Sequence, residues 1–383
     1  MRRDEVTAIF HERFGGEPEI WARAPGRVDL MGSHTDYNLG FVLTLAISRD
    51  TWIAARPSGD MCVRLFAANL ESAASFNLDE VRERPAASRR RSWSDYVAGV
   101  GWVLQEAGYP LTGFDGVVDS TVPIGSGLSS SAALECAAAV VFREICGWTV
   151  EAEAMARLCQ RAENEYVGVK CGILDQYSSC LGRRGCALML DCRDLTTKPA
   201  LMADGIQVVI CDTKSRRELA GGEYGLRRAQ CEEGAARMGV KALRDADLAQ
   251  VEAAGLSGEV RKRCEFIVGE NERVVRLTEA LSAGDRGKIG ELCSASFAGA
   301  RDLFEIVSPS MLAMMDAMVA APGVIGARQA GAGFGGCMVA FVESDRTEAF
   351  ARPVTEAYRS RTGIQPEIYV VEADEGAGIL HAA

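Results

Sequence analysis

Two glycine-rich segments carry residue types that handle anionic ligands. Pro123–Ala132 reads PIGSGLSSSA and lies between a strand pattern (Phe114–Val122) and an Ala-rich helical pattern that stops at Gly147. A helix N-terminus presents unpaired N–H groups and the positive end of the helix dipole. Glycines remove Cβ atoms so that a phosphate can approach the backbone, and serine hydroxyls can donate to it or ligate Mg²⁺. The same residues also suit a plain serine-capped helix after a tight turn. The pattern G-x-x-x-x-G-K-[ST] is absent, which excludes P-loop chemistry. Gly331–Gly336 (GAGFGG) matches G-x-G-x-x-G, yet CMVAFV, a strand pattern, follows where a dinucleotide fold needs a helix. A hairpin-like turn and a loop lying against a ligand phosphate or sugar both stay open for it.

Composition narrows the classes. A chain of 383 residues has room for two cores. Its 48% hydrophobic and 25% charged residues are ordinary soluble-globular usage. No apolar run approaches the roughly 20 residues of a membrane span. The start, MRRDEVTAIFHERF, lacks the apolar stretch of a secretory signal, so a cytoplasmic location is expected. A net charge of −11 argues against nucleic acid as the main partner. Of the 13 cysteines none forms Cys-x-x-Cys, so buried reduced thiols are expected rather than a disulfide framework or zinc site. With only His11, His34 and His381 available, a His-based metal site is excluded.

The elements that must position these segments read as irregularly mixed strands and helices, hence α+β. Strands are expected at Phe41–Ile47, Phe114–Val122, Cys186–Cys192, Ile206–Asp212, Cys337–Val342 and Ile368–Val371. Met155, Leu158, Cys159, Ala162 and Tyr166 share one helical face. TTKPALMADG, near residue 196, reads as a domain junction, giving domains 1–195 and 196–383. The run Arg82–Trp93 reads as a solvated loop, with a phosphate-facing role as the alternative.

The segment RAPGRVDLMGSHTDYNLGFVL (Arg23–Leu43) resembles the galactokinase signature. PIGSGLSSSA and GAGFGG resemble the second and third motifs of the GHMP kinase superfamily, and WSDYVAGV, AENEYVGVKCGILDQYSSCLG, LDCRDL and GEYGLRRAQCEE extend the likeness in order. The resemblance implies a two-domain fold: an N-terminal domain with a mixed sheet and left-handed βαβ crossover, a C-terminal α+β domain, and an active site in the cleft. It implies an ATP- and Mg²⁺-dependent sugar 1-kinase. Arg27 matches the arginine near the transferred phosphoryl and Asp175 the catalytic aspartate. His34, Asp36, Gly172 and Tyr224 match sugar contacts. Pro123, Gly125, Ser126, Gly127, Leu128, Ser129, Ser130, Ser131 and Ala132 match the ATP phosphate loop, with Ser131 and Glu163 as Mg²⁺ ligands. Trp93 and Tyr96 match aromatics near the adenine. The implied partners are a small sugar and ATP, without nucleic acid or membrane, and a monomer is favoured.

Each residue also has a plain structural alternative. Arg27 and Asp175 would serve as an ion pair, Glu163 as an exposed helix residue, Trp93 and Tyr96 as core aromatics, and His34 as a satisfied buried histidine. Two positions depart from the family pattern. Ser33 stands where the usual motif has the glutamate that accepts from the sugar C6 hydroxyl, and Asp29 stands for an asparagine. D-galactose remains the expected substrate, with L-arabinose or D-fucose as the altered-C6 alternative. A non-catalytic sugar sensor on the same fold is the rival from another class. The intact Ser131-Ala132 pair argues against it.

Overall fold

The computed structural model describes residues 2–81, 92–169, 171–215 and 220–380. Arg82–Arg91, most of the expected solvated loop, and His381 lie outside them. In chain order the elements are α1 (Arg2–Phe14), β1 (Ile20–Met31), β2 (Phe41–Pro57), β3 (Cys62–Ala67), β4 (Ser72–Asn77), α2 (Ser94–Glu106), β5 (Phe114–Ser120), α3 (Ser130–Cys146), α4 (Ala152–Arg161) and α5 (Leu174–Leu181). They continue with β6 (Cys186–Asp191), β7 (Thr197–Leu201), β8 (Ile206–Asp212), α6 (Ala220–Met238), α7 (Leu248–Ala253), α8 (Gly258–Ala283), α9 (Arg286–Asp302) and α10 (Pro309–Val319). The last are β9 (Val324–Gln329), β10 (Cys337–Glu343), α11 (Thr347–Thr362), β11 (Glu367–Val371) and β12 (Gly378–Ile379). Among the described residues no helix is long and apolar enough to cross a membrane.

The chain forms two compact units: Met1–Arg27 with Ala46–Gly182 and Asp374–Ala383, and Val28–Leu45 with Arg183–Ala373. This differs from the single cut expected after residue 195. Strand pairing decides membership, whatever the position in sequence. Phe41–Thr44 pairs antiparallel with Leu188–Asp191, which holds the start of β2 in the second unit. β12 pairs with β1 through Ala22 and Ile379, which returns the C-terminal segment to the first. The expected junction at residue 196 is instead the strand β7, paired with β6. Pro199 is tolerated there because β7 is an edge strand.

In the first unit the strand order is β12-β1-β2-β5-β3-β4. β3 and β5 run parallel, while β1 with β12, β2 with β5 and β3 with β4 run antiparallel, so the sheet is mixed, as expected. Helix α1 covers one side through Val6 and Phe10, which pack with Trp21, Ala54 and Val117. Helices α2 to α5 pack on one another and fix the ends of α3 and α5, where the Gly/Ser loop and Asp175 sit. In the second unit β11-β8-β10-β9 form an antiparallel sheet. One core there joins Met311, Met314, Phe341's neighbours Ala340 and Val342, and Phe350, Val354 and Tyr358.

Candidate active site

In the first unit the Gly/Ser loop and Arg27 are built against each other. Arg27 N–H donates to Leu128 O at 3.1 Å, and its Nη1 donates to Gly127 O at 2.6 Å. Gly26 makes that approach possible, since a Cβ there would lie 2.7 Å from Leu128 O and 3.0 Å from Val122. Arg27 Nε and Nη2 both donate to Asp175 Oδ1, at 2.8 and 2.6 Å. Both bonds land on one oxygen, which leaves Oδ2 available on a side chain that is 23% exposed. Asp175 stands in the first turn of α5 and Gly172 lies exposed just before it.

The loop itself enters α3 through Ser129, whose φ of 61° is left-handed, after Gly125 and Gly127 at 75° and 88°. Ser126 Oγ donates to Pro123 O at 2.8 Å and pins the turn. Ser129 Oγ is buried and has no hydrogen-bond partner among the described residues. Ser130 and Ser131 open the helix and line a cavity of about 160 Å³ together with Trp93, Tyr96 and Ile124. Trp93 and Tyr96 are only half-buried, so they are not core aromatics. Trp93 Nε1 donates to Ser72 Oγ at 3.3 Å, and Ile124 is 63% exposed at the same cavity.

Glu163 is not the exposed helix residue of the plain alternative. It lies in a π-turn (Ala162–Val167) that continues α4, and it is 4% exposed. Such turns often mark functional positions. Its Oε2 accepts from Gln176 Nε2 at 2.7 Å and from Cys171 Sγ at 3.3 Å, and the Ser131 side chain lies close enough to act on it. Burial pushes this carboxyl up against the Cys171 hydrogen bond, and the charge of Asp175 adds to the push.

In the second unit His34, Asp36 and Tyr224 gather around an aromatic cluster. The His34 ring lies 5.2 Å from Tyr224 and 4.8 Å from Phe304, and Tyr37 lies 5.5 Å from Tyr224. His34 Nε2 is 2.9 Å from Ala332 O, and Nδ1 is 2.9 Å from the Tyr37 hydroxyl. A carbonyl only accepts, so Nε2 carries the proton and Nδ1 accepts from Tyr37. Burial lowers the His34 pKa to about 4, against the Ala332 bond, which fixes it as neutral. Both ring nitrogens are therefore spent on protein partners. Asp36 is half-buried in the 3₁₀ turn that follows. The GAGFGG loop joins antiparallel β9 and β10, so the hairpin geometry holds, and His34 ties the signature turn to it through Ala332.

Ser33 and Asp29 prove to be one feature. Ser33 Oγ donates to Asp29 Oδ2 at 3.1 Å and accepts from Arg328 Nη2 at 2.9 Å. Arg328 is fully buried, and its Nη2 and Nε also reach Glu270 Oε1 and Ser296 Oγ, both at 3.0 Å. Burial pushes Glu270 up, but Arg273 and Arg328 outweigh it and hold the carboxyl below its usual range. Gly331 N–H donates to Asp29 Oδ2 at 3.2 Å. Sequence reasoning missed Arg328 and Glu270. Their only signal was charge inside apolar patterns, and they lie 58 residues from each other, with Ser33 295 residues from Arg328.

Comparison with known proteins accords with this geometry. The galactokinase galactose-binding signature matches residues 8–57, the N-terminal domain of GHMP kinases 95–183, and their C-terminal region 277–360. The galactokinase of Chloroflexus aurantiacus is 40% identical over 99% of this chain and 98% of its own length. That of Roseiflexus sp. (strain RS-1) is 39% identical over 98% and 96%. The crystal structure of Lactococcus lactis galactokinase complexed with galactose superposes with a TM-score of 0.91 at 32% identity, covering 99% of this chain and all of that one. A mevalonate kinase, at TM-score 0.65 and 16% identity, shares the fold. By identity over its whole length, with the signature, the two GHMP regions and the two-domain fold all present, the chain is a sugar phosphotransferase and belongs to the galactokinase family within the GHMP kinases.

Proposed function

We propose that the chain transfers the γ-phosphoryl group of ATP to the anomeric hydroxyl of D-galactose. The products are galactose 1-phosphate and ADP. The observation that carries this reading is the Arg27–Asp175 pair, fastened to the Gly/Ser loop through Gly127 O. Phosphoryl transfer needs positioning and charge stabilisation more than covalent help. Asp175 Oδ2 takes, or orients, the proton of the attacking hydroxyl. Arg27 is placed where it faces both that carboxylate and the loop, so its charge meets the negative charge developing on the phosphoryl oxygens. Backbone N–H groups of Gly125–Ala132 receive the phosphates, and the half-buried Trp93 and Tyr96 give the adenine an apolar seat. Asp36, Gly172 and Tyr224 contact the sugar, while His34 braces the turn that presents Asp36.

Ser131 and Glu163 fit a magnesium ion: their oxygens are hard donors, and the Ser131 side chain lies close enough to act on the Glu163 carboxyl. Among the described residues no cluster of three or more His, Cys, Asp or Glu is arranged to hold a metal, and phosphate oxygens of the nucleotide would supply the remaining ligands. When bound, the ion neutralises charge on the phosphates.

A second reading, relaxed recognition at C6, is favoured by the Ser33 geometry. Its proton is committed to Asp29 and one lone pair to Arg328. A C6 hydroxyl then finds at best a neutral acceptor in place of a carboxylate. Charged hydrogen bonds contribute about 1.5–3 kcal/mol and neutral ones about 0.5–1.5. L-Arabinose and D-fucose therefore lose less here than at a glutamate. Coupled-assay kcat/KM for D-galactose, L-arabinose, D-fucose and D-galacturonate decides. A value for galactose far above all others sinks the relaxed-C6 reading. No ADP release with any sugar supports the sensor instead.

A further inference from the structure

Gln176, fully buried beside Asp175, spends both amide hydrogens on carboxylates. Its Nε2 donates to Glu135 Oε2 at 3.0 Å and to Glu163 Oε2 at 2.7 Å. Glu135 lies on α3, one turn beyond Ser131, and is 0% exposed. It makes no hydrogen bond to Ser131 or Glu163; the amide stands between. Two buried oxygens are left over, Gln176 Oε1 and Glu135 Oε1, and neither has a hydrogen-bond partner among the described residues. Two donor-less acceptors, on groups already joined by one hydrogen bond, lack a single hydrogen between them. An orphaned buried acceptor is costly, and a buried carboxylate without a cation more so.

Among the described residues the charged and titratable groups that act most strongly on Glu135 are acidic: Glu163 from the π-turn, Asp175 from α5 and the Cys136 thiol on its own helix. The Cys171 thiol points at Glu163, not at Glu135. We propose that Glu135 keeps its proton and donates it from Oε1 to Gln176 Oε1, closing an acid–amide ring that aims the second Gln176 N–H at Glu163. Each member of the ring then donates and accepts once, and both orphaned oxygens are satisfied. Burial, with the charge of Glu163 behind it, pushes the Glu135 carboxyl well above the usual carboxylate range, in the same sense.

Glu135 and Gln176 are thus positioning residues. They touch no reacting atom but set the direction of the Glu163 carboxylate, and this half rests on the reading of Glu163 as a metal ligand. Loss of such outer partners lowers metal affinity by about 10–100-fold.

The test is infrared spectroscopy of the intact protein at neutral pH, with Mg²⁺ kinetics alongside. The wild type should show the carbonyl stretch of a protonated carboxylic acid, shifted in D₂O. Glu135→Gln should remove it, while an amide–amide ring leaves the Mg²⁺ dependence of kcat unchanged. Gln176→Leu should raise half-saturating Mg²⁺ by about 10–100-fold, with a smaller change in KM for the sugar. Absence of the band in wild type, or its survival in Glu135→Gln, overturns the ring. The wild-type arm holds even where a variant fails to fold. A band lost in Glu135→Gln, with Mg²⁺ dependence unmoved in Gln176→Leu, overturns the positioning half only.

Discussion

Asp175 carries the heaviest demand on a single side chain. Asp175→Asn should lower kcat by about 10²–10⁴-fold, the usual worth of a positioned acid–base group, with a far smaller change in KM for ATP. Steady-state kinetics of the purified variant checks it. Ser33 and Asp29 make a paired prediction. Ser33→Glu alone sets a third carboxylate beside Asp29 and Glu270 and should destabilise the chain. Adding Asp29→Asn should restore stability, with a coupling of about 0.5–3 kcal/mol in a denaturation cycle, and should raise the galactose to L-arabinose kcat/KM ratio. Additive effects would show that the two positions act separately.

His34 gives a pH dependence with a defined sign. Its pKa is about 4 in the folded chain against 6.5 for the free side chain. Between those values the unfolded chain binds the extra proton, so stability rises with pH there. The contribution is complete above pH 6.5 and is lost as pH falls toward 4, on the order of 3 kcal/mol at most. His34→Gln should flatten that part of a stability-versus-pH curve. At residue scale most of the candidate site was legible, because Arg27, Asp175, Ser131 and Glu163 stand in contiguous motifs. The Arg328–Glu270 support was not legible, since its members come from α8, β9 and the signature turn and meet only on folding.

At the scale of elements, the Gly/Ser loop depends on β1 as much as on α3. A Cβ at Gly26 would stand 2.7 Å from Leu128 O, a backbone atom that cannot move without shifting the loop. Gly26→Ala should therefore cost about 1–3 kcal/mol of overpacking, expressed as a raised KM for ATP with the sugar KM nearly unchanged. Isothermal titration with ADP checks it. Strands with continuous apolar runs, β8 and β10, were plain in the sequence. β1 was not, because Pro25 and Gly26 read as breakers in its middle although the strand runs through them. β7 was hidden by Pro199, which only an edge position tolerates.

At the scale of the whole molecule, the fold class was legible from mixed patterns and ordered motifs, but the division into units was not. A cut in sequence cannot show that Val28–Leu45 and Asp374–Ala383 exchange sides, since that follows from pairing between β2 and β6 and between β1 and β12. An acidic chain of net charge −11 binds anionic ATP only through a local positive site, and the α3 N-terminus with Arg27 supplies one. From that site the phosphoryl group passes to a sugar hydroxyl. Phosphorus NMR of the product formed from ATP, Mg²⁺ and D-galactose tests it most directly. The expected products are ADP and one sugar phosphate, esterified at the anomeric carbon and absent with Asp175→Asn. Phosphate on any other carbon, or no phosphorylated sugar from galactose, L-arabinose or D-fucose, would contradict it.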